Sequence, residues 1–66
     1  NKKKIVQDYL RINELQPGMI LDLDVVDKNG VILLSRGQLV TTLMKLRLQG
    51  YLELGRIYNL VKVRAY

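Results

Sequence analysis

Two apolar runs separated by Asp27-Lys28-Asn29-Gly30 constrain this chain more than any other feature. Asn-Gly between apolar runs suits a tight β-hairpin, because both central positions of a type I′ turn need positive φ. The run before it, residues 19–26 (MILDLDVV), alternates Met19, Leu21, Leu23 and Val25 with Ile20, Asp22, Asp24 and Val26. That period of two predicts a half-buried strand with Asp22 and Asp24 on its wet face. Residues 31–35 (VILLS) return as the partner strand. A two-residue turn at Asn29-Gly30 sets Val25 opposite Leu34 and Val26 opposite Leu33. A three-residue turn with a bulge shifts the pairing by one, and the sequence leaves both open.

The remaining elements follow from weaker signals. Residues 5–12 (IVQDYLRI) are rich in β-branched and aromatic residues and lack a helix cap, so they read as a strand. Residues 13–18 form a connector, with Pro17-Gly18 suited to a type II turn and Leu15 tucked beneath it. Arg36-Gly37-Gln38 is a second break, followed by a short extended pair at Leu39-Val40. Thr41 is a good N-cap for a helix over residues 42–49, with Leu43, Met44, Leu46 and Leu48 spread over a wide apolar face. Gly50 suits the residue just past the helix end, and Lys45 and Arg47 near that end suit its dipole. Residues 51–55 admit no single assignment. Residues 56–66 read as a last strand, with Ile57, Asn59, Val61 and Val63 on one face and Tyr58, Leu60, Lys62, Arg64 and Tyr66 on the other. The order β-β-β-α-β predicts an α+β fold: a small curled antiparallel β-sheet or partial barrel with one covering helix.

Size limits what such a fold can do. Sixty-six residues make one domain at most. A chain this short buries only about 60% of its unfolded surface. Cysteine and histidine are both absent, which excludes disulfides, thiolate zinc sites and imidazole chemistry. Phe and Trp are absent as well, and all four aromatic residues are Tyr. The core must be Leu, Ile and Val with two Met, which offers no deep aromatic pocket for a large ligand. Net charge is +5, but three of the eleven basic residues are Lys2, Lys3 and Lys4; the other eight face six acids, leaving +2. Residues 1–4 are therefore expected to be a disordered solubilising end or a linker, with a phosphate-contacting arm as the alternative. No apolar run approaches the roughly 18 residues of a membrane span, and Asp8 and Arg11 interrupt any signal-peptide core. A cytoplasmic location is expected, and the chain, which begins with Asn, reads as a piece of a longer protein.

Motifs for independent catalysis are missing. There is neither a G-x-x-x-x-G-K-[ST] phosphate loop nor a G-x-G-x-x-G fingerprint. Aligning an EF-hand pattern on Gly30 places Asp27 and Asn29 acceptably, but puts Val25 at the first ligand position and Arg36 where a bidentate Glu belongs. The acids Asp22, Asp24 and Asp27 thus read as surface residues of a hairpin, and nothing in the sequence would raise the pKa of Asp22 or Asp24 selectively. The chain is expected to be no enzyme, with no cofactor, no metal and no membrane contact. The competing reading is a small basic β-domain binding nucleic acid. Arg11 and Tyr9 join Tyr58, Lys62, Arg64 and Tyr66, which share one face of the last strand and could stack bases within a basic groove.

The stretch from Leu15 to Gly50 resembles a small module found beside HD-type phosphohydrolase domains, including the HD-GYP class, and in response-regulator chains of bacterial signalling proteins. The positions that carry the resemblance are Leu15, Pro17, Gly18, Met19, Leu21, Asp24, Val25, Gly30, Leu33, Leu34, Gly37 and Thr41, with Val40 where the pattern has Leu. It covers a little over half of the chain; the flanks match only as generic strands. The resemblance implies a non-catalytic accessory or interaction domain in a cytoplasmic two-component or cyclic-di-GMP signalling protein. Its partner would be a neighbouring domain of the same chain or a second copy. The catalytic residues of such parent proteins belong to the HD domain, so none is carried onto these positions.

Overall fold

A computed structural model describes residues 6–65, with the side chains of Val6 and Gln7 left aside. The terminal lysines, Ile5 and Tyr66 lie outside the described residues. Strand β1 covers Val6–Leu10, and the chain then tightens into a 3-10 turn at Ile12–Glu14. The predicted strand over 5–12 therefore stops short. Its last residues turn because Glu14 Oε1 accepts from the Arg11 N–H at 2.8 Å and Asn59 Oδ1 accepts from the Ile12 N–H at 2.9 Å. That leaves Ile12 and Leu15 fully buried.

The predicted strand over 19–26 divides into β2 (Ile20–Leu21) and β3 (Val25–Val26). The break at Asp22-Leu23-Asp24 turns Asp22 into the molecule and leaves Leu23 exposed. The expected alternation fails there because Asp22 N–H donates to Lys62 O and its carboxylate meets Arg36, Lys62 and Arg64, which turns the next residue, Leu23, outward. Strand β4 (Ile32–Leu34) pairs with β3, with Val25 opposite Leu34 and Val26 opposite Ile32. Leu33 is the extra residue of a bulge. The turn is the longer of the two alternatives. Gly30 N–H donates to Asp27 O at 3.0 Å, Asp27 N–H donates to Val31 O at 2.8 Å, and Gly30 takes a φ of 87°.

Helix α1 spans Thr42–Glu53 and begins at Thr41, whose hydroxyl accepts from the Met44 N–H at 3.1 Å. It runs through Gly50 rather than ending there. Met44, Leu48, Tyr51 and Leu52 keep the inward face apolar at spacings of four, three and one, so packing carries the helix onward. The stop is Gly55 at φ 70°: Gly55 N–H donates to Leu52 O and Arg56 N–H to Tyr51 O, a Schellman motif. The ambiguous residues 51–55 are thus the last helical turn and its cap. Lys45 lies in the first turn instead of near the end, and its Nζ donates to the carbonyls of Asn13 and Leu15 at 3.1 and 2.9 Å.

The final strand β5 is Val61–Ala65, shorter than the predicted 56–66. It is the centre of a three-stranded antiparallel sheet in the order β1-β5-β2, while β3 and β4 form a separate two-stranded sheet. Residues 37–40 extend the larger sheet on the far side of β2, through Leu21 N–H to Gln38 O, Gly37 N–H to Leu21 O and Val40 N–H to Met19 O. The result is a small α+β domain whose two sheets do not close into a barrel. Ile12, Leu15, Leu21, Val40, Leu48, Ile57, Val61 and Val63 meet at its centre, where the helix packs on the larger sheet.

Candidate functional site

The antiparallel register places Tyr9 of β1 beside Lys62 of β5. The Lys62 ammonium lies 5.7 Å from the centre of the Tyr9 ring. On the other side, the β2–β3 link brings Leu23 and Asp24, and β3 brings Val25 and Val26. The segment from the helix to β5 adds Ile57, Tyr58 and Leu60. Together these enclose an open groove of about 200 Å³. Its floor is the buried trio Val25, Ile57 and Val61; its walls are the exposed side chains Tyr9, Leu23, Val26, Tyr58 and Leu60. Lys28, from the hairpin turn, sits 4.7 Å from the centre of the Tyr58 ring. The hairpin is held against this segment by Lys28 N–H donating to Arg56 O at 2.9 Å.

Next to the groove lies an ionic cluster built on Asp22, which is only 4% exposed. Lys62 and Arg64 are two apart on β5, and Asp22 N–H donates to Lys62 O, so the carboxylate falls between both side chains. Arg64 Nη1 stands 3.1 Å and Arg36 Nη2 3.4 Å from Oδ1, with Lys62 Nζ 3.7 Å from Oδ2. Burial alone would push this carboxyl up, but the Arg64 hydrogen bond and the charges of Arg36 and Lys62 outweigh it and hold the pKa below the ordinary value. Asp24 remains on the surface and accepts from the Arg36 N–H at 2.7 Å.

Asp27 is the second buried acid, so the reading of these aspartates as surface residues holds only for Asp24. Its Oδ1 accepts from the N–H groups of Val31 and Asn29, each at 2.9 Å, and Arg56 reaches Oδ2 at 3.3 Å. The Val31 bond is the main reason its pKa is lowered; burial opposes it, and the Asn29 and Arg56 bonds add to it. A general acid working near neutrality needs a raised pKa, and both buried carboxylates are shifted the other way. Among the described residues, no group of three or more His, Cys, Asp or Glu side chains could hold a metal ion.

Of the residues singled out for nucleic acid, Tyr58 and Lys62 share the groove with Tyr9. Arg64 does not; it is committed to Asp22. Tyr66 lies outside the described residues, and Arg11 is exposed away from the groove lining. Sequence reasoning missed Leu23, Leu60 and Arg36. Alternation alone puts Leu23 on the core face, and Arg36 sits in a turn where only its backbone is informative. The signal for both is Asp22, one of two acids within an otherwise apolar run, in a chain with spare cations. Among the described residues, no helix is long and apolar enough to cross a membrane. No protein-family model, curated protein or solved structure matches this chain.

Proposed function

We propose that this chain is a non-catalytic accessory domain of a bacterial cytoplasmic signalling protein, attached to an HD-type cyclic-dinucleotide phosphohydrolase or a response regulator. Its work is docking, and the groove beside β5 is the seat for the neighbouring domain. The observation that carries this reading is the balance of apolar side chains. Among the described residues, eleven are buried in the core and eleven large ones remain exposed. Five of the exposed ones, Tyr9, Leu23, Val26, Tyr58 and Leu60, line one groove. A contiguous apolar surface on so small a domain favours a protein partner. The attachment to an HD-type or response-regulator chain rests on the Leu15–Gly50 pattern alone.

A second reading, binding of single-stranded nucleic acid, is favoured by the meeting of Tyr9, Tyr58 and Lys62 in that groove. Aromatic faces beside a cation are what base stacking uses. Against it, one face of each tyrosine is already covered by a lysine, and both Lys62 and Arg64 lie against Asp22.

Amide NMR of the labelled chain separates the two. Titration with the adjoining domain of the parent protein should shift Leu23, Tyr58 and Leu60 and resist salt. Titration with a short single-stranded oligonucleotide should leave these amides in place. Shifts at Tyr9, Tyr58 and Lys62 that fade with added salt would transfer the assignment to nucleic acid.

A further inference from the structure

We propose that the outer face of α1 is a self-association surface whose occupant is a second copy of this chain. This rests on reading the chain as an interaction module, and it names the partner. At 3.6 residues per turn, Met44, Leu48, Tyr51 and Leu52 take the inner side of the helix and pack on the core. Leu43, Leu46 and Gly50 fall on the opposite side, and Leu54 continues the line at the C-cap. Leu43 is 66% exposed, Leu46 59% and Leu54 73%.

Gly50 is the second observation. Its φ is not positive, and a Cβ built on it would meet nothing within 4 Å. Nothing within the chain therefore requires glycine, which is among the least favourable residues in a helix interior. A missing side chain between Leu46 and Leu54 makes a notch that admits another backbone at close range.

Charge selects a second copy over another protein. Arg47 and Glu53 flank Gly50 at three residues on either side, on opposite margins of the face, and neither has an ion partner among the described residues. A two-fold axis through Gly50, with helices crossing at about −50°, the commonest packing class, carries Arg47 of each copy toward Glu53 of the other. The same operation sets Leu46 against Leu46 and Leu54 against Leu54. Such a patch is complementary to itself, as a two-fold interface requires.

Sedimentation equilibrium of the chain over a concentration series tests this. A reversible monomer–dimer equilibrium is expected. Gly50→Leu should weaken it by about tenfold or more, while the melting temperature of the dilute monomer does not fall, since Leu is the better helix former. Arg47→Glu and Glu53→Arg should each weaken the dimer, and the double variant should restore it. A chain that stays monomeric throughout, a Gly50→Leu variant that pairs as well as the parent, or a double variant without rescue would each overturn the proposal. A monomeric result would leave the groove titration free to decide the docking reading on its own.

Discussion

The hairpin and the larger sheet each bury one aspartate, and they stabilise it in different ways. Asp27 is served locally: two of its acceptor bonds come from backbone N–H groups two and four residues on, within its own turn. Asp22 is served from a distance: its three cations are 14, 40 and 42 positions away and arrive only when β5 and the Arg36 turn are in place. Arg56 apart, the hairpin can therefore form the contacts of its buried carboxylate from its own few residues. The larger sheet must complete its fold first, because non-local pairing has to offset loop closure before it gains contacts. Disruption of the sheet should cost the whole domain, whereas disruption of the hairpin should stay local.

The largest effect is expected at Leu21, the fully buried β2 residue paired with Val63. Leu21→Ala should lower the unfolding free energy by about 3 kcal/mol, from lost transfer and a residual cavity, read from urea denaturation. On a domain this small that is a large share of total stability. Comparable loss from Ile32→Ala, at an exposed position of β4, would erase the distinction; surface changes of that kind usually stay within about 0.5 kcal/mol.

Asp22→Asn should come next. The amide keeps the shape, but its NH2 must face cations on one side, and Arg36, Lys62 and Arg64 all lose their counter-charge. Its effect should also depend on pH. The folded pKa of Asp22 lies below the ordinary aspartate value, so the ionised group contributes stability above the unfolded pKa and loses it as pH falls through the folded one. Denaturation midpoints of the parent should hold from neutrality to about pH 5 and then fall. The variant should start lower and fall less. A parent midpoint that rises on acidification would contradict the ionic cluster.

Gly30 probes the hairpin from its backbone. At φ 87° an alanine is strained although its Cβ has open space. Gly30→Ala should cost about 1 kcal/mol, and hydrogen exchange should show the loss at residues 26–34 rather than across β5.

How much of this was legible in the sequence follows the same division. The hairpin, the Thr41 cap, the Pro17-Gly18 turn (closed by Met19 N–H to Gln16 O, with Gly18 at φ 97°) and the buried face of the last strand are written in residues a few positions apart, and period and turn chemistry expose them. The break at Asp22, the extra helical turn and the groove are not. Asp22 departs from its alternation because of Lys62 and Arg64, at the far end of the chain. The helix passes Gly50 because Tyr51 and Leu52 pack on the core, and the spacing Met44-Leu48-Tyr51-Leu52 was the available sign of it. The groove gathers Tyr9, Leu23 and Tyr58 from three separate segments, which no local pattern records.

Asp27→Asn should show the smallest effect at neutral pH, and for that reason it sharpens the comparison most. An asparagine oxygen can accept the same bonds from Asn29 and Val31 that the carboxylate accepts now, and Asn is itself at home in this kind of turn. Only the contact with Arg56 is weakened, and that guanidinium keeps its place over the Tyr51 ring. The neutral midpoint should therefore stay close to the parent's, while the part of the acid response that comes from Asp27, whose folded pKa is also lowered, should vanish. If Asp27→Asn destabilised at pH 7 as much as Asp22→Asn, the hairpin carboxylate would be held by charge rather than by its own backbone, and the contrast between a local and a distant solution would be lost.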